Sequence, residues 1–171
     1  MIKKIFASFI ILFFISTIGW LLYEASMVNV IEVGSKFPQV KYIGETGENV
    51  LKQKDERSAM ILYYDIECPS CEYELDLLET NIAKLQEINI YLLTTKEYKK
   101  NKEKVEVFSA LCNSSNVIFG SLSEEEFKGK IGIGITPTFL FFNKAGILTK
   151  VLSGEIKYSF IEDAVKKLGK E

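Results

Sequence analysis

The sequence predicts an α/β fold with a mixed central sheet, helices on both of its faces and a hairpin ahead of them. Three observations carry that expectation. Ala59 to Asp65 and Asn89 to Thr95 are largely apolar runs of strand length, the pattern of strands covered on both faces. Each is followed by a segment whose apolar residues recur at helical spacing: Leu75, Leu78, Ile82 and Leu85 after the first, Val105, Phe108, Leu111 and Cys112 after the second. Finally, Thr136 to Phe142 passes through Asn143-Lys-Ala-Gly146 into Ile147 to Leu152, two strands joined by a tight turn. Alternation of strand and helix makes parallel neighbours and the closing hairpin adds antiparallel ones, so the sheet is mixed.

The remaining elements fall into place around these. Ile5 to Leu22 is an uncharged apolar stretch. At about 1.5 Å per residue it is just long enough to span a hydrocarbon core. Lys3 and Lys4 precede it and Trp20 and Tyr23 close it, an arrangement that keeps the N-terminus cytoplasmic and sends the rest of the chain across the membrane. A cleaved signal peptide would deliver the chain to the same compartment, but the residues around Ala25 and Ser26 do not form the small-x-small pattern that cleavage favours. We therefore expect a transmembrane anchor over 1–23, a linker over 24–36 and one domain over 37–171. Within the domain, Val40 to Ile43 and Glu48 to Leu51 read as a short hairpin turned by Gly44 and Gly47. A helix is expected from Pro69 to about Glu87, and another from Lys96 to Cys112. Val117 to Phe119 reads as a strand, Glu124 to Lys128 as a helical turn and Lys157 to Leu168 as a last amphipathic helix.

Composition excludes several functions. The chain of 171 residues carries a net charge of −2, no histidine and one arginine, Arg57. Such a chain lacks the basic footprint of a nucleic-acid partner. Without histidine, Ser-His and Cys-His catalysis fall away together with most transition-metal sites. Three cysteines alone make a poor zinc site, so neither a metal nor a cofactor is expected.

The chemistry that remains is that of Cys68-Pro69-Ser70-Cys71, placed between the buried strand ending near Asp65 and the first helix. A cysteine at the first turn of a helix faces backbone N–H groups and the positive end of the helix dipole, which favour the thiolate. The i, i+3 spacing brings a second sulfur to the same side of the turn, where it can resolve a mixed disulfide. Pro69 suits the first helical position. Cys71 continues the apolar stripe and Cys68 does not, so Cys68 is expected to be the exposed attacking thiol and Cys71 the buried resolving one. Cys112, on an apolar helix stripe, is expected to be a small core residue. Glu67 and Glu72 flank the pair and are expected to raise the pKa of Cys68.

Taken together, Cys68-Pro-Ser-Cys71 after a buried strand, Thr136-Pro137-Thr138 opening a later one, and the Asn-Lys-Ala-Gly turn resemble the thioredoxin-like fold over Gly34 to Leu168. The hairpin ahead of them is similar to that of the extracytoplasmic, membrane-anchored TlpA/ResA-type thiol–disulfide oxidoreductases. The resemblance implies that Pro137 follows a cis peptide bond beside the dithiol, and that Thr136 pairs through its backbone with an extended substrate segment. It also implies an acidic partner at Glu74, although surface solvation of Asp65 and Glu74 is the simpler expectation from the sequence. Two departures stand out: Glu67 replaces the tryptophan common before the first cysteine, and Leu62 stands where thioredoxins have a buried aspartate.

The activity so implied is dithiol–disulfide exchange on exported proteins, with a membrane protein as electron donor or acceptor. Reduction of substrate disulfides is the expected direction, since no histidine lies between the cysteines and the flanking acids oppose a thiolate. A disulfide-forming oxidase uses the same residues in reverse. A tethered binding module with a structural CxxC is the third alternative.

Overall fold

In the computed structural model of the chain, residues 2–26, 30–53 and 55–169 are described, the first helix by its side chains only over 10–21 and 23. That helix, α1, runs Ile2–Ser26. Its described apolar side chains stand open, Phe13 at 66% and Trp20 at 69% exposure. Among the described residues no helix is long and apolar enough to cross a membrane. The anchor expected over 1–23 therefore rests on the sequence.

Among the described residues, seven strands form one sheet: β1 (Lys41–Gly44), β2 (Gly47–Val50), β3 (Ala59–Tyr63), β4 (Asn89–Thr94), β5 (Val117–Leu122), β6 (Thr138–Phe142) and β7 (Leu148–Ser153). Their order across the sheet is β2-β1-β5-β4-β3-β6-β7. The β3/β4 and β4/β5 pairs are parallel, and β6 and β7 add antiparallel strands beside β3, so the sheet is mixed. The hairpin β1/β2 joins the other side by pairing antiparallel with β5. Gly120 belongs there because a Cβ would stand 2.6 Å from a ring carbon of Tyr42 on β1.

The period of two in the strands divides the interior into two cores. Met60, Leu62, Ile90, Leu92, Phe139 and Phe141 face one side. There they pack under α2 (Pro69–Asn81), its 3-10 continuation (Ile82–Leu85), α3 (Tyr98–Val105), α4 (Ser109–Cys112) and α6 (Tyr158–Leu168). Ala59, Ile61, Tyr91, Leu93, Leu140 and Phe142 face the other side, with Phe127 of α5 (Glu124–Lys130). Both faces of β3, β4 and β6 are thus buried, which is why their sequences read as unbroken apolar runs.

The structure corrects several expectations. The helix expected over Lys96–Cys112 is two helices, because Phe108 leaves helical geometry at φ −87°, ψ 68°. Glu79 satisfies the second start: its carboxylate oxygens accept from the N–H groups of Ala110 and Leu111, each at 2.8 Å. The helix from Pro69 ends its α-helical part at Asn81. The linker expected over 24–36 docks on the domain in its second half. Ile31 donates to Ile131 O at 3.0 Å, and Gly34 to Leu148 O at 2.8 Å. Residues 27–29 of that segment lie outside the described ones. Cys112, expected in the core, is exposed.

Candidate active site

The parallel strands β3 and β4 end together, and their C-terminal ends deliver the chain to one pole of the sheet. Cys68 is the N-cap residue of α2, in extended geometry at φ −94°, ψ 120°, and Pro69 takes the first helical position. The turn into it is closed by Cys68 N–H to Asp65 O at 3.0 Å, and the first helical bonds follow from Cys71 and Glu72 to Cys68 O. Cys68 is partly exposed and Cys71 fully buried, as the amphipathic spacing predicts.

The two thiols differ electrostatically. The backbone N–H of Cys71 comes first among the groups that lower the Cys68 pKa; the Cys71 thiol, the Ser70 N–H and the Thr136 side chain add to it. The expectation that Glu67 and Glu72 raise it is overturned. Glu67 is held at 3.2 Å by Lys96 and at 3.8 Å by Lys104, so its charge is compensated one residue before Cys68. Cys71 moves the other way. Burial pushes its thiol up to about 11, against a donated bond from the backbone N–H of Asp65 at 3.4 Å.

Thr136-Pro137 is a cis peptide bond, and Pro137 is buried. The loop is tied on both sides. Thr138 donates its hydroxyl to Ile135 O at 2.8 Å, and Gly154 donates to Pro137 O at 2.8 Å. The Thr136 side chain lies near enough to lower the pKa of both thiols, which places this loop beside the dithiol.

Glu74 sits one turn along α2 from Cys71 and is fully buried, against the expectation of a solvated acid. One carboxylate oxygen accepts from Ile156 N–H at 2.6 Å, and the other has no partner. Burial pushes its pKa up to about 7. Asp65 is half-buried and ion-paired with Lys96 at 3.3 Å. Leu62 is buried in the core beneath α2, so the acid that thioredoxins place there is absent.

Lys96 and Lys104 escaped the sequence reading. The parallel register offered a signal, since Tyr63 pairs with Leu93 and the residues just beyond each strand must meet at one end of the sheet.

A family model described as a thioredoxin-like domain matches residues 44–169. The chain belongs to the thioredoxin-like family. No curated relative matches the sequence. Among solved structures, the fold is similar to that of a peroxiredoxin-like protein from Aquifex aeolicus, at 18% identity over 83% of this chain and 90% of that one, with a TM-score of 0.65. It is similar also to a putative thiol:disulfide interchange protein DsbE from Chlorobium tepidum, at 16% identity over 81% and 98% of the two chains, TM-score 0.62. A thiol peroxidase from Chromobacterium violaceum gives 9% identity over 85% and 91%, TM-score 0.66. At such identities these likenesses carry the thioredoxin-like fold and leave the activity to the site itself.

Proposed function

We propose that this thioredoxin-like protein is a thiol–disulfide oxidoreductase that reduces disulfides of exported proteins. The observation that carries the exchange chemistry is the asymmetry of the pair: a partly exposed Cys68 held low by converging donors, three residues from a buried Cys71 held high; the reducing direction rests on the lack of a histidine between the cysteines. Cys68 thiolate attacks a substrate disulfide, forming a mixed disulfide and expelling one substrate thiolate. Cys71 loses its proton and attacks the Cys68 sulfur, which releases the second substrate thiolate and leaves Cys68–Cys71 oxidised. The two electrons passed to substrate are restored by a membrane electron donor. Glu74, with a pKa near neutrality and one turn away, is the acid–base group suited to take the Cys71 proton. Thr136 and Pro137 position the extended substrate segment over Cys68, with Pro69 and Ser70 shaping the first turn.

Replacing Cys71 with serine tests the mechanism. The variant is expected to accumulate mixed disulfides through Cys68, recovered as adducts on non-reducing gels and lost when Cys68 is also replaced. Absence of adducts would leave the non-catalytic binding module.

The lowered Cys68 favours a second reading, a disulfide-forming oxidase, because stabilising the reduced form makes a dithiol more oxidising. The reduction potential separates the two: a value near the roughly −270 mV of thioredoxin supports the reductase, and one near the roughly −120 mV of DsbA the oxidase. The apolar stretch Ile5 to Leu22, behind Lys3 and Lys4, supports an anchor that holds the domain on the extracytoplasmic side. Retention of the full chain in alkali-washed membranes is the outcome expected of that anchor.

A further inference from the structure

The densest cluster of charge beside the dithiol is Asp65, Glu67, Lys96 and Lys104. The Lys96 ammonium lies 3.3 Å from Asp65 and 3.2 Å from Glu67, both in the turn that leads into Cys68. Lys104 adds a second cation to Glu67 at 3.8 Å. Both residues belong to the same turn. The Glu67 N–H donates to Asp65 Oδ1 at 2.9 Å, the Asp65 C=O accepts from Cys68 N–H, and the Asp65 N–H donates to the Cys71 sulfur.

We propose that Lys96 is a positioning residue of the dithiol: its ammonium cancels the charge of Asp65 and Glu67 beside Cys68 and fixes the turn that touches both cysteines. This rests on the thiol–disulfide reading above and identifies what sets the poise of that pair.

Two features separate this contact from an ordinary surface ion pair. Lys96 has a pinned backbone: its N–H donates to Thr94 Oγ1 at 3.2 Å, and the Ser121 hydroxyl donates to its carbonyl. That fixes the point from which the side chain reaches, so holding the ammonium costs side-chain freedom only. The ammonium also faces two carboxylates, so removing it uncovers two negative charges at once, one and three residues before a cysteine that must ionise to react. Lys104 touches only Glu67 and cannot replace it. With Lys96 gone, the thiolate at Cys68 is opposed, the dithiol form is less favoured and the pair becomes more reducing.

The experiment is the exchange equilibrium of Cys68/Cys71 with a glutathione buffer at low salt, read by mass spectrometry after alkylation, for the native chain, Lys96→Met, and Lys96→Met with Glu67→Gln. The pH dependence of Cys68 alkylation is measured alongside. Lys96→Met is expected to move the equilibrium toward the disulfide by roughly threefold to tenfold and the alkylation profile to higher pH. Removing the Glu67 charge is expected to reverse part of both shifts, the uncovered Asp65 keeping the rest. A Lys96→Met equilibrium equal to that of the native chain overturns the proposal, as does a shift that Glu67→Gln leaves wholly in place, since the Glu67 charge would then have no part in it. A native chain that forms no Cys68–Cys71 disulfide at all overturns the thiol–disulfide reading itself.

Discussion

Cys68 and Cys112 are both solvent-reachable thiols at helix ends, and the structure gives them opposite character. Cys68 opens α2, where backbone N–H groups point at its sulfur and lower its pKa. Cys112 closes α4, where its thiol donates to Val105 O at 3.5 Å and stands near the carboxylates of Glu79 and Glu106. Burial comes first among the causes that raise its pKa, and those two charges add to it. Exposure alone thus does not make a thiol reactive. Which end of a helix it occupies, and what charge neighbours it, decide whether the thiolate is welcome.

The largest expected effect breaks the comparison outright. Cys68→Ser is expected to lower disulfide exchange with a model protein substrate by roughly 10³-fold or more, because the nucleophile is lost. Cys112→Ser is expected to leave the rate within about twofold, so a comparable loss in that variant would place Cys112 in the machinery. Next in size is the reactivity order of the native dithiol form. At neutral pH, alkylation should run Cys68 first, Cys112 roughly tenfold slower and Cys71 last, the order set by thiolate fraction and access.

Glu74 sharpens the account at the buried end of the site. Its folded pKa of about 7 lies above the ordinary 4.5, so the folded state binds a proton that the unfolded chain releases. Its contribution favours folding below pH ~4.5 and is lost as pH rises toward ~7, by up to about 3 kcal/mol. Glu74→Gln keeps an acceptor for Ile156 N–H and should flatten that dependence in urea titrations at acid and alkaline pH. If it is the acceptor of the Cys71 proton, resolution of the mixed disulfide should slow as well. The smallest effect concerns the α4 turn. Glu79→Ala removes the acceptor of two helix-start N–H groups, with an expected loss of about 1–2 kcal/mol in unfolding free energy. The same change should lower the Cys112 pKa, bringing its alkylation profile closer to that of Cys68.

Much of the thioredoxin-like fold was legible because buried strands and amphipathic helices write their periods into the sequence. β3, β4 and β6 read as continuous apolar runs since both faces are covered, and the α2 stripe of Leu75 and Leu78 placed Cys71 inside. The contrast between Cys68 and Cys71 followed from that stripe. Periodicity alone did not reveal the Lys96–Glu67 contact, because it says which face a residue takes; only the shared end of β3 and β4 hints at which cation from another loop reaches it. For the same reason Glu67 was expected to oppose the thiolate and Glu74 to be solvated. The latter is buried because α2 turns it toward the segment after β7, whose Ile156 N–H it accepts. Cys112 misled for a local reason: the break at Phe108 rotates α4 out of phase with α3, and a stripe counted across both helices no longer lies on one face.

The central claim is that Cys68 and Cys71 form the working couple and Cys112 stands outside it. Its most direct test is to equilibrate the full chain in glutathione buffers of graded potential, alkylate, and map the cysteines by mass spectrometry. The account predicts one reversible disulfide, Cys68–Cys71, with Cys112 alkylated at every potential. A disulfide that includes Cys112, or a Cys68/Cys71 pair that stays reduced across the whole series, would contradict it.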